Sequence, residues 1–224
     1  DGEGKLIFID GDIYEGEFKD DKINGKGIMV FKNDDIYSKY EGNFKDGYFD
    51  GEGKLIFIDG DIYEGEFIDN KINGKGILIF KNDDIYSKYE GEFKDDDMNG
   101  KGKMTFINGD IYEGEFKDDD MNGKGEFTFT NGDVHKGNFK NGQRHGKGIF
   151  IKTNNLIIKG RWIEDNTSGE FKIKYTNGYT FIGILKDGKK NGFGKILDND
   201  KNIIKMGIWE NNILVKNMGK NPEG

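Results

Sequence analysis

Gly11-Asp12-Ile13-Tyr14-Glu15-Gly16-Glu17-Phe18, followed after a short charged segment by Asn24-Gly25-Lys26-Gly27, returns with small edits down the whole chain. Registering on the pentamer of aromatic, any residue, glycine, any residue, aromatic places its first position at Tyr14, Tyr40, Tyr63, Tyr89, Tyr112, His135, Ile158, Phe181 and Lys205. The steps between them are 26, 23, 26, 23, 23, 23, 23 and 24 residues. A fixed period of this size means one supersecondary unit stacked many times. A larger duplication overlies it: Asp1 to Phe18 reappears letter for letter as Asp50 to Phe67, an offset of 49 residues.

Side-chain alternation along an extended chain puts Tyr14, Gly16 and Phe18 on one face and Glu15 and Glu17 on the other. After a loop from Lys19 to Asn24, a second strand carries Gly25, Gly27, Met29 and Phe31 on one face and Lys26, Ile28 and Val30 on the other. Each unit is therefore expected to be a β-hairpin. Asp10-Gly11, Asp59-Gly60, Asn108-Gly109, Asn131-Gly132 and Asn177-Gly178 punctuate the passages between units, as residues that accept positive φ do in tight turns. The 26-residue units replace that turn with Asn33 to Lys39 and with Asn82 to Lys88, loops three residues longer.

A glycine recurring inside a strand needs a reason, because glycine normally weakens one. Glycines are expected to leave flat gaps over which Tyr and Phe rings of neighbouring strands lie, so that an aromatic ladder takes the place of a second layer. The ladder comprises Tyr14, Gly16, Phe18, Gly25, Gly27, Tyr40, Gly42, Phe44, Tyr63, Gly65 and Phe67, then Gly74, Gly76, Tyr89, Gly91, Phe93, Tyr112, Gly114 and Phe116. Each ring buries on the order of 150 Å². At about 4.8 Å per strand, about seventeen strands make a twisted ribbon roughly 80 Å long. A propeller is disfavoured, since each blade needs about 40 residues.

The 224 residues include 36 glycines and one proline, and only 33% are hydrophobic. High charge with few apolar residues ordinarily raises the question of disorder, but 28 Phe and Tyr residues on a strict period argue for a folded array. No run of 18 apolar residues and no signal-peptide pattern is found. With zero cysteines there is no disulfide framework, which fits a reducing compartment. Residues 1–133 hold 34 Asp and Glu against 17 Lys and Arg, a balance of −17, whereas residues 134–224 hold 8 against 17, a balance of +9. The division expected from this is a lone second strand over 1–11, acidic regular repeats over 12–133, and basic degenerate repeats with a C-terminal cap over 134–224.

Tyr-Glu-Gly-Glu-Phe with Asn-Gly-Lys-Gly, as at Tyr63 to Phe67 with Asn73 to Gly76 and at Tyr112 to Phe116 with Asn122 to Gly125, resembles the membrane occupation and recognition nexus (MORN) repeat. The resemblance covers nearly the entire chain. It implies an all-β, elongated, single-layer twisted antiparallel sheet of stacked β-hairpins. It also implies arrays that dimerise, organise cytoskeletal or membrane-associated structures, or adjoin an enzymatic domain. Beyond the fifth unit the motif degrades, at His135-Lys136-Gly137, Ile158 to Trp162 and Phe181-Ile182-Gly183, so the aromatic ladder is carried over only as far as Phe116. Asp1 to Gly4 matches the second strand of a unit, which leads to the expectation of a fragment or part of a longer polypeptide.

Candidate chemistry is sparse. Asp95-Asp96-Asp97 and Asp118-Asp119-Asp120 lack the alternating ligands and closing Glu of a calcium loop and read as solvated turns. His135 is expected to fill the slot that Tyr takes elsewhere, and His145 to sit in a loop. The Asn166-Thr167-Ser168 sequon carries little weight in an Asn-rich chain. No nucleophile triad, phosphate loop or dinucleotide fingerprint is present, so neither a catalytic residue, a metal site nor a cofactor is assigned. Ile7, Ile9, Ile28, Val30, Ile56, Ile58, Ile77 and Ile79 face away from the ladder, where Thr105, Glu126, Thr128 and Thr130 replace them later. These isoleucines serve either strand propensity or an N-terminal docking surface.

Three candidate interaction sets follow. Lys136, Lys140, Arg144, Lys147, Lys159, Arg161, Lys172, Lys174, Lys186, Lys189 and Lys190 make the C-terminal third basic, which suits an anionic phospholipid or an acidic partner, or an ordinary solvated surface. Ile203, Ile204, Met206, Ile208, Trp209, Ile213, Leu214 and Val215 form an apolar final strand pair suited to self-association at an open edge. The leading expectation is a non-catalytic scaffold that binds protein partners, homodimerises, and sits in the cytoplasm at cytoskeletal or membrane-associated structures. The alternatives are a phosphoinositide-binding tether and the regulatory array of a larger enzyme; no nucleic-acid partner is expected.

Overall fold

The computed structural model describes residues 1–219, so residues 220–224 of the predicted C-terminal region lie outside the described residues. It is all β, with nineteen strands among the described residues rather than the seventeen expected. The chain divides into two compact units, the first Asp1–Asp119 and the second from Asp120 onward. Unit 1 holds β1 (Gly2–Ile7), β2 (Ile13–Lys19), β3 (Lys22–Val30), β4 (Tyr37–Lys45), β5 (Tyr48–Phe57), β6 (Ile62–Ile68), β7 (Lys71–Ile79), β8 (Tyr86–Lys94), β9 (Asp97–Phe106) and β10 (Ile111–Lys117). Unit 2 holds β11 (Asp120–Thr128), β12 (Val134–Lys140), β13 (Gln143–Ile151), β14 (Ile157–Trp162), β15 (Gly169–Lys174), β16 (Thr180–Lys186), β17 (Lys189–Leu197), β18 (Ile203–Glu210) and β19 (Ile213–Asn217). Within each unit every strand pairs antiparallel with its successor, from β1 through β10 and from β11 through β19, in one layer.

The predicted loop from Lys19 to Asn24 shrinks to two residues, Asp20 and Asp21, because β3 already begins at Lys22. Both have positive φ, 50° and 59°. Asp69-Asn70, Asp95-Asp96, Asn141-Gly142, Asp187-Gly188 and Asn211-Asn212 do the same at corresponding places. This is the tight-hairpin geometry that Asp, Asn and Gly tolerate best. The second turn residue also clamps the preceding unit. Asn70 Oδ1 accepts the Phe49 amide at 2.7 Å, Asp96 Oδ1 that of Ile72 at 2.8 Å, and Asn212 Oδ1 that of Lys190 at 2.8 Å. The acidic runs are thus turns that tie one hairpin to the next.

The room freed by the shorter turn is taken up by a bulge. Between Gly16↔Gly27 and Phe18↔Ile23 the register shifts, and Asn24, Gly25 and Lys26 stand opposite Glu17. Gly25 takes φ +74° there, and Gly74 and Gly100 take +68° and +100° at the matching bulges. A Cβ on Gly25 or Gly74 would run into the Glu17 or Glu66 carboxylate. Gly25 and Gly74 are therefore bulge residues, not the ring platforms predicted. His145 takes the place of Asn24 at the matching bulge inside β13, beside Gly146 at φ +79°, and is not in a loop. Ile9 and Ile58 fall in turns after β1 and β5, outside the strand face assigned to them.

Candidate functional site: one closed face and one open channel

The closed face explains why the pentamer has its composition. A Cβ on Gly65 would lie 2.5 Å from the Gly76 Cα and 2.5 Å from the Tyr63 hydroxyl. The Tyr63 ring therefore lies over Gly76 of the neighbouring strand and also over Gly65 of its own strand. The Tyr63 hydroxyl donates to the Glu66 carbonyl at 3.1 Å, and Tyr14, Tyr40, Tyr89 and Tyr112 bond the carbonyl three residues on in the same way. That carbonyl lies where the bulge interrupts cross-strand pairing, which is why the slot calls for Tyr rather than Phe. Burial pushes the Tyr40, Tyr63, Tyr89 and Tyr112 phenols well above their ordinary range.

Phe18 sits edge-on to Tyr14, and each pentamer phenylalanine from Phe44 to Phe116 sits edge-on between two tyrosines. Phe44 contacts Tyr14 and Tyr40 with ring centroids 5.1 Å apart in both cases, and Phe67 contacts Tyr40 and Tyr63 at 5.1 Å. Phe93 and Phe116 continue the chain to Tyr89 and Tyr112. Ten rings from Phe18 to Tyr112 thus form one edge-to-face row, a geometry that adds about 0.5 to 1.5 kcal/mol per contact beyond burial.

Unit 2 has a row of its own, past the point at which sequence similarity carried the ladder. His135 is 1% exposed in the tyrosine slot, edge-on to Phe139 at 5.5 Å and Trp162 at 4.8 Å. Both His135 ring nitrogens and the Trp162 indole nitrogen are buried without a hydrogen-bond partner. Burial, with repulsion from Arg144, pulls the His135 pKa down to about 4. In the next hairpin Ile158 has replaced the tyrosine, and Phe171 supplies a ring from the opposite strand. It pairs with Gly160 at the position where Gly27 pairs with Gly16, and its ring covers Gly160. Aromatic bulk has moved across the hairpin, which is invisible to a motif read one strand at a time.

This face also takes up residues that the sequence suggested for binding. Trp209 is 4% exposed, with its indole N–H donating to the Gly194 carbonyl, and Leu214 packs against the same cluster. Trp209 is therefore core and not an association surface. Lys190 and Arg144 occupy the slot of Ile23, pairing with Leu185 and Phe139 as Ile23 pairs with Phe18. The Lys190 ammonium lies 4.7 Å from the Trp209 ring centre, and desolvation lowers its pKa. Arg144 binds Asp165 at 2.6 Å. Neither cation stands on the open face. Ile203, Ile204, Ile213 and Val215 are exposed on β18 and β19, whereas Met206 and Ile208 alternate onto the open face.

That open face is a channel in each unit. The glycine row, Gly16, Gly27, Gly42, Gly53 and their equivalents, forms a floor without side chains, and the residues on either side of each glycine form two walls. In unit 1 one wall runs Lys5, Glu15, Ile28, Glu41, Lys54, Glu64 across successive strands. Its charges neutralise one another, with Lys5–Glu15 at 3.5 Å and Lys54–Glu64 at 3.9 Å. The corresponding wall in unit 2 runs Lys136, Ile149, Lys159, Lys172, Ile182, Lys195, Met206. Here, among the described residues, only Lys136 has an ion-pair partner, Glu126 at 2.6 Å. The trough that these walls enclose in unit 2 measures about 1360 Å³. Lys147 and Arg161 line the other wall, while Lys140 and Lys174 lie toward strand ends, and Lys186 and Lys189 flank the turn at Asp187. Sequence reading missed Lys195, Ile149, Ile182 and Phe193 as parts of this surface; the signal available was their alternation with the unit-2 glycines.

Among the described residues no cluster of His, Cys, Asp or Glu suits a metal ion. The family model described as MORN repeat matches residues 14–36, 40–62, 63–85, 89–111, 112–134, 135–156 and 181–203. No curated protein matches the chain. Among solved structures, the SAS-4 (dCPAP) TCP domain of Drosophila melanogaster, in complex with a proline-rich motif of Ana2, is similar at 12% identity and a TM-score of 0.45. That match covers 82% of this chain and 90% of that one. The CPAP G-box domain is similar at 14% identity and a TM-score of 0.47, covering 92% and 93%.

Proposed function

Because the chain belongs to the MORN-repeat family, we propose that it acts as a non-catalytic interaction array which holds protein partners on its open faces and self-associates through β18 and β19. The observation that carries this reading is the division of labour between faces: the aromatic row uses one face of each sheet and leaves the other uncovered, strand after strand. Self-association draws on the last strand. β19 pairs only with β18 among the described residues, and Ile213 and Val215 on it are 66% and 51% exposed. An edge of this kind, rich in apolar side chains and with free backbone donors, is a template for a second copy. A place in the cytoplasm at cytoskeletal or membrane-associated structures belongs to the same reading.

Light scattering tests the assembly. The full chain is expected at twice its 25.4 kDa mass, and Ile213→Asp/Val215→Asp at the monomer mass. A wild-type chain that stays monomeric at tens of micromolar refutes self-association. A second reading, an anionic-lipid tether, draws on the uncompensated cations of unit 2, and sedimentation with vesicles of increasing phosphatidylserine content measures it.

A further inference from the structure

We infer that the channel of unit 2 is the docking groove for an acidic amphipathic helix of a partner protein, an inference that rests on the interaction-array reading and names its partner. Two observations carry it. The first is an excess of positive charge: Lys147 pairs directly across from Arg161, and Lys159 directly across from Lys172, while among the described residues Glu170 is the single carboxylate lining the same trough. Like charges facing each other on paired strands are destabilising, and among the described residues none of these four enters an ion pair. The wall of unit 1 that matches Lys159 and Lys172 places Glu opposite Lys at Glu41↔Lys54 and Lys54↔Glu64, whereas the wall that matches Lys147 and Arg161 carries like pairs of the opposite sign, Glu3↔Glu17 and Glu52↔Glu66. The same scaffold thus builds a neutralised wall in one unit and an open cationic one in the other.

The second observation is what stands between the cations. Ile149, Ile182 and Met206 alternate with the lysines along the wall, and Ile184 and the exposed Phe193 continue the opposite side. A flat bilayer surface would satisfy the lysines and leave Ile149, Ile182 and Met206, which stand between them on the wall, without a matched partner. An amphipathic helix meets both demands, with its apolar stripe on the isoleucines and flanking carboxylates on the lysines. The spacing agrees: neighbouring strands lie about 4.8 Å apart and a helix advances about 5.4 Å per turn, so each turn faces about one strand. From β12 to β18 the channel is about 29 Å long, the length of a helix of about 19 residues.

The test uses the full chain and a fluorescein-labelled 19-residue peptide with leucines along one helical face and glutamates flanking it, followed by anisotropy. Wild type is expected to bind it in a salt-sensitive manner, and a scrambled peptide of identical composition at least tenfold more weakly. Lys159→Glu turns a like-charged pair into an opposite one of the kind found at Lys54–Glu64. It is expected to hold or raise the melting temperature while weakening peptide binding about tenfold. Equal binding of the scrambled peptide, or unchanged affinity in Lys159→Glu, overturns the proposal. So does saturable binding to phosphatidylserine vesicles that the peptide does not displace, which would make this a membrane surface. Self-association, read by light scattering of the Ile213→Asp/Val215→Asp chain, stands or falls independently of the peptide.

Discussion

Placing a single methyl group beneath one tyrosine, by Gly65→Ala, tests the packing on which the array depends. The new Cβ would lie 2.5 Å from the Gly76 Cα, the Lys75 carbonyl oxygen and the Tyr63 hydroxyl. Two of these three are backbone atoms and cannot rotate away, so the strands must part or the ring must lift. Lifting the ring gives up its hydrogen bond to Glu66, about 1 kcal/mol. It also loosens two edge-to-face contacts, with Phe67 and Phe93 at 5.1 Å each, worth about 0.5 to 1.5 kcal/mol apiece. Overpacking strain adds about 1 to 3 kcal/mol, against a gain of at most about 1 kcal/mol from a stiffer unfolded chain. A net loss of about 3 kcal/mol is expected, or about 6 to 12 °C in melting temperature for a chain of this size. Because repeat arrays open locally, amide exchange in β6 and β7 should quicken before that in β1 or β19. Gly47→Ala is the control: Gly47 sits in a turn at φ +91° with nothing within 4 Å, so only backbone strain of about 1 to 2 kcal/mol applies. If Gly65→Ala is no more damaging than Gly47→Ala, the glycines serve turn geometry and the account of the closed face fails.

Other perturbations probe neighbouring points. Tyr63→Phe keeps the ring and removes the bond to Glu66, and equilibrium denaturation should register a loss of about 1 kcal/mol. Above pH 10 the unfolded chain releases phenolic protons that the folded chain retains, so wild-type stability should fall with rising pH, less steeply in Tyr63→Phe. His135 has the opposite sense. Its folded pKa of about 4 against an ordinary 6.5 means that below pH 6.5 the unfolded chain binds a proton the folded chain refuses. Stability should therefore fall from pH 6.5 to 4, by at most about 3 kcal/mol, and the difference between wild type and His135→Phe over that window isolates the imidazole. A wild type that parallels His135→Phe throughout would show that the imidazole does not titrate with folding.

The period, the hairpins and the ring-bearing side of each strand were legible in the sequence because strand alternation is strictly local: Tyr14, Gly16 and Phe18 must share a face whatever surrounds them. Identity between hairpins, as in Asp1 to Phe18 and Asp50 to Phe67, made the reading secure. What lay beyond it depended on register. Whether Gly25 lies under a ring or in a bulge is decided by how many residues oppose Glu17, a property of two strands together. That Phe171 replaces a missing tyrosine from across the hairpin, that Trp209 belongs to the core, and that Lys190 lies over its rings while Lys159 faces Lys172 along an open channel are likewise cross-strand facts. A sequence specifies which face a side chain takes; only the paired strands determine what stands opposite it, and in this protein that separates a buried aromatic row from an uncovered face.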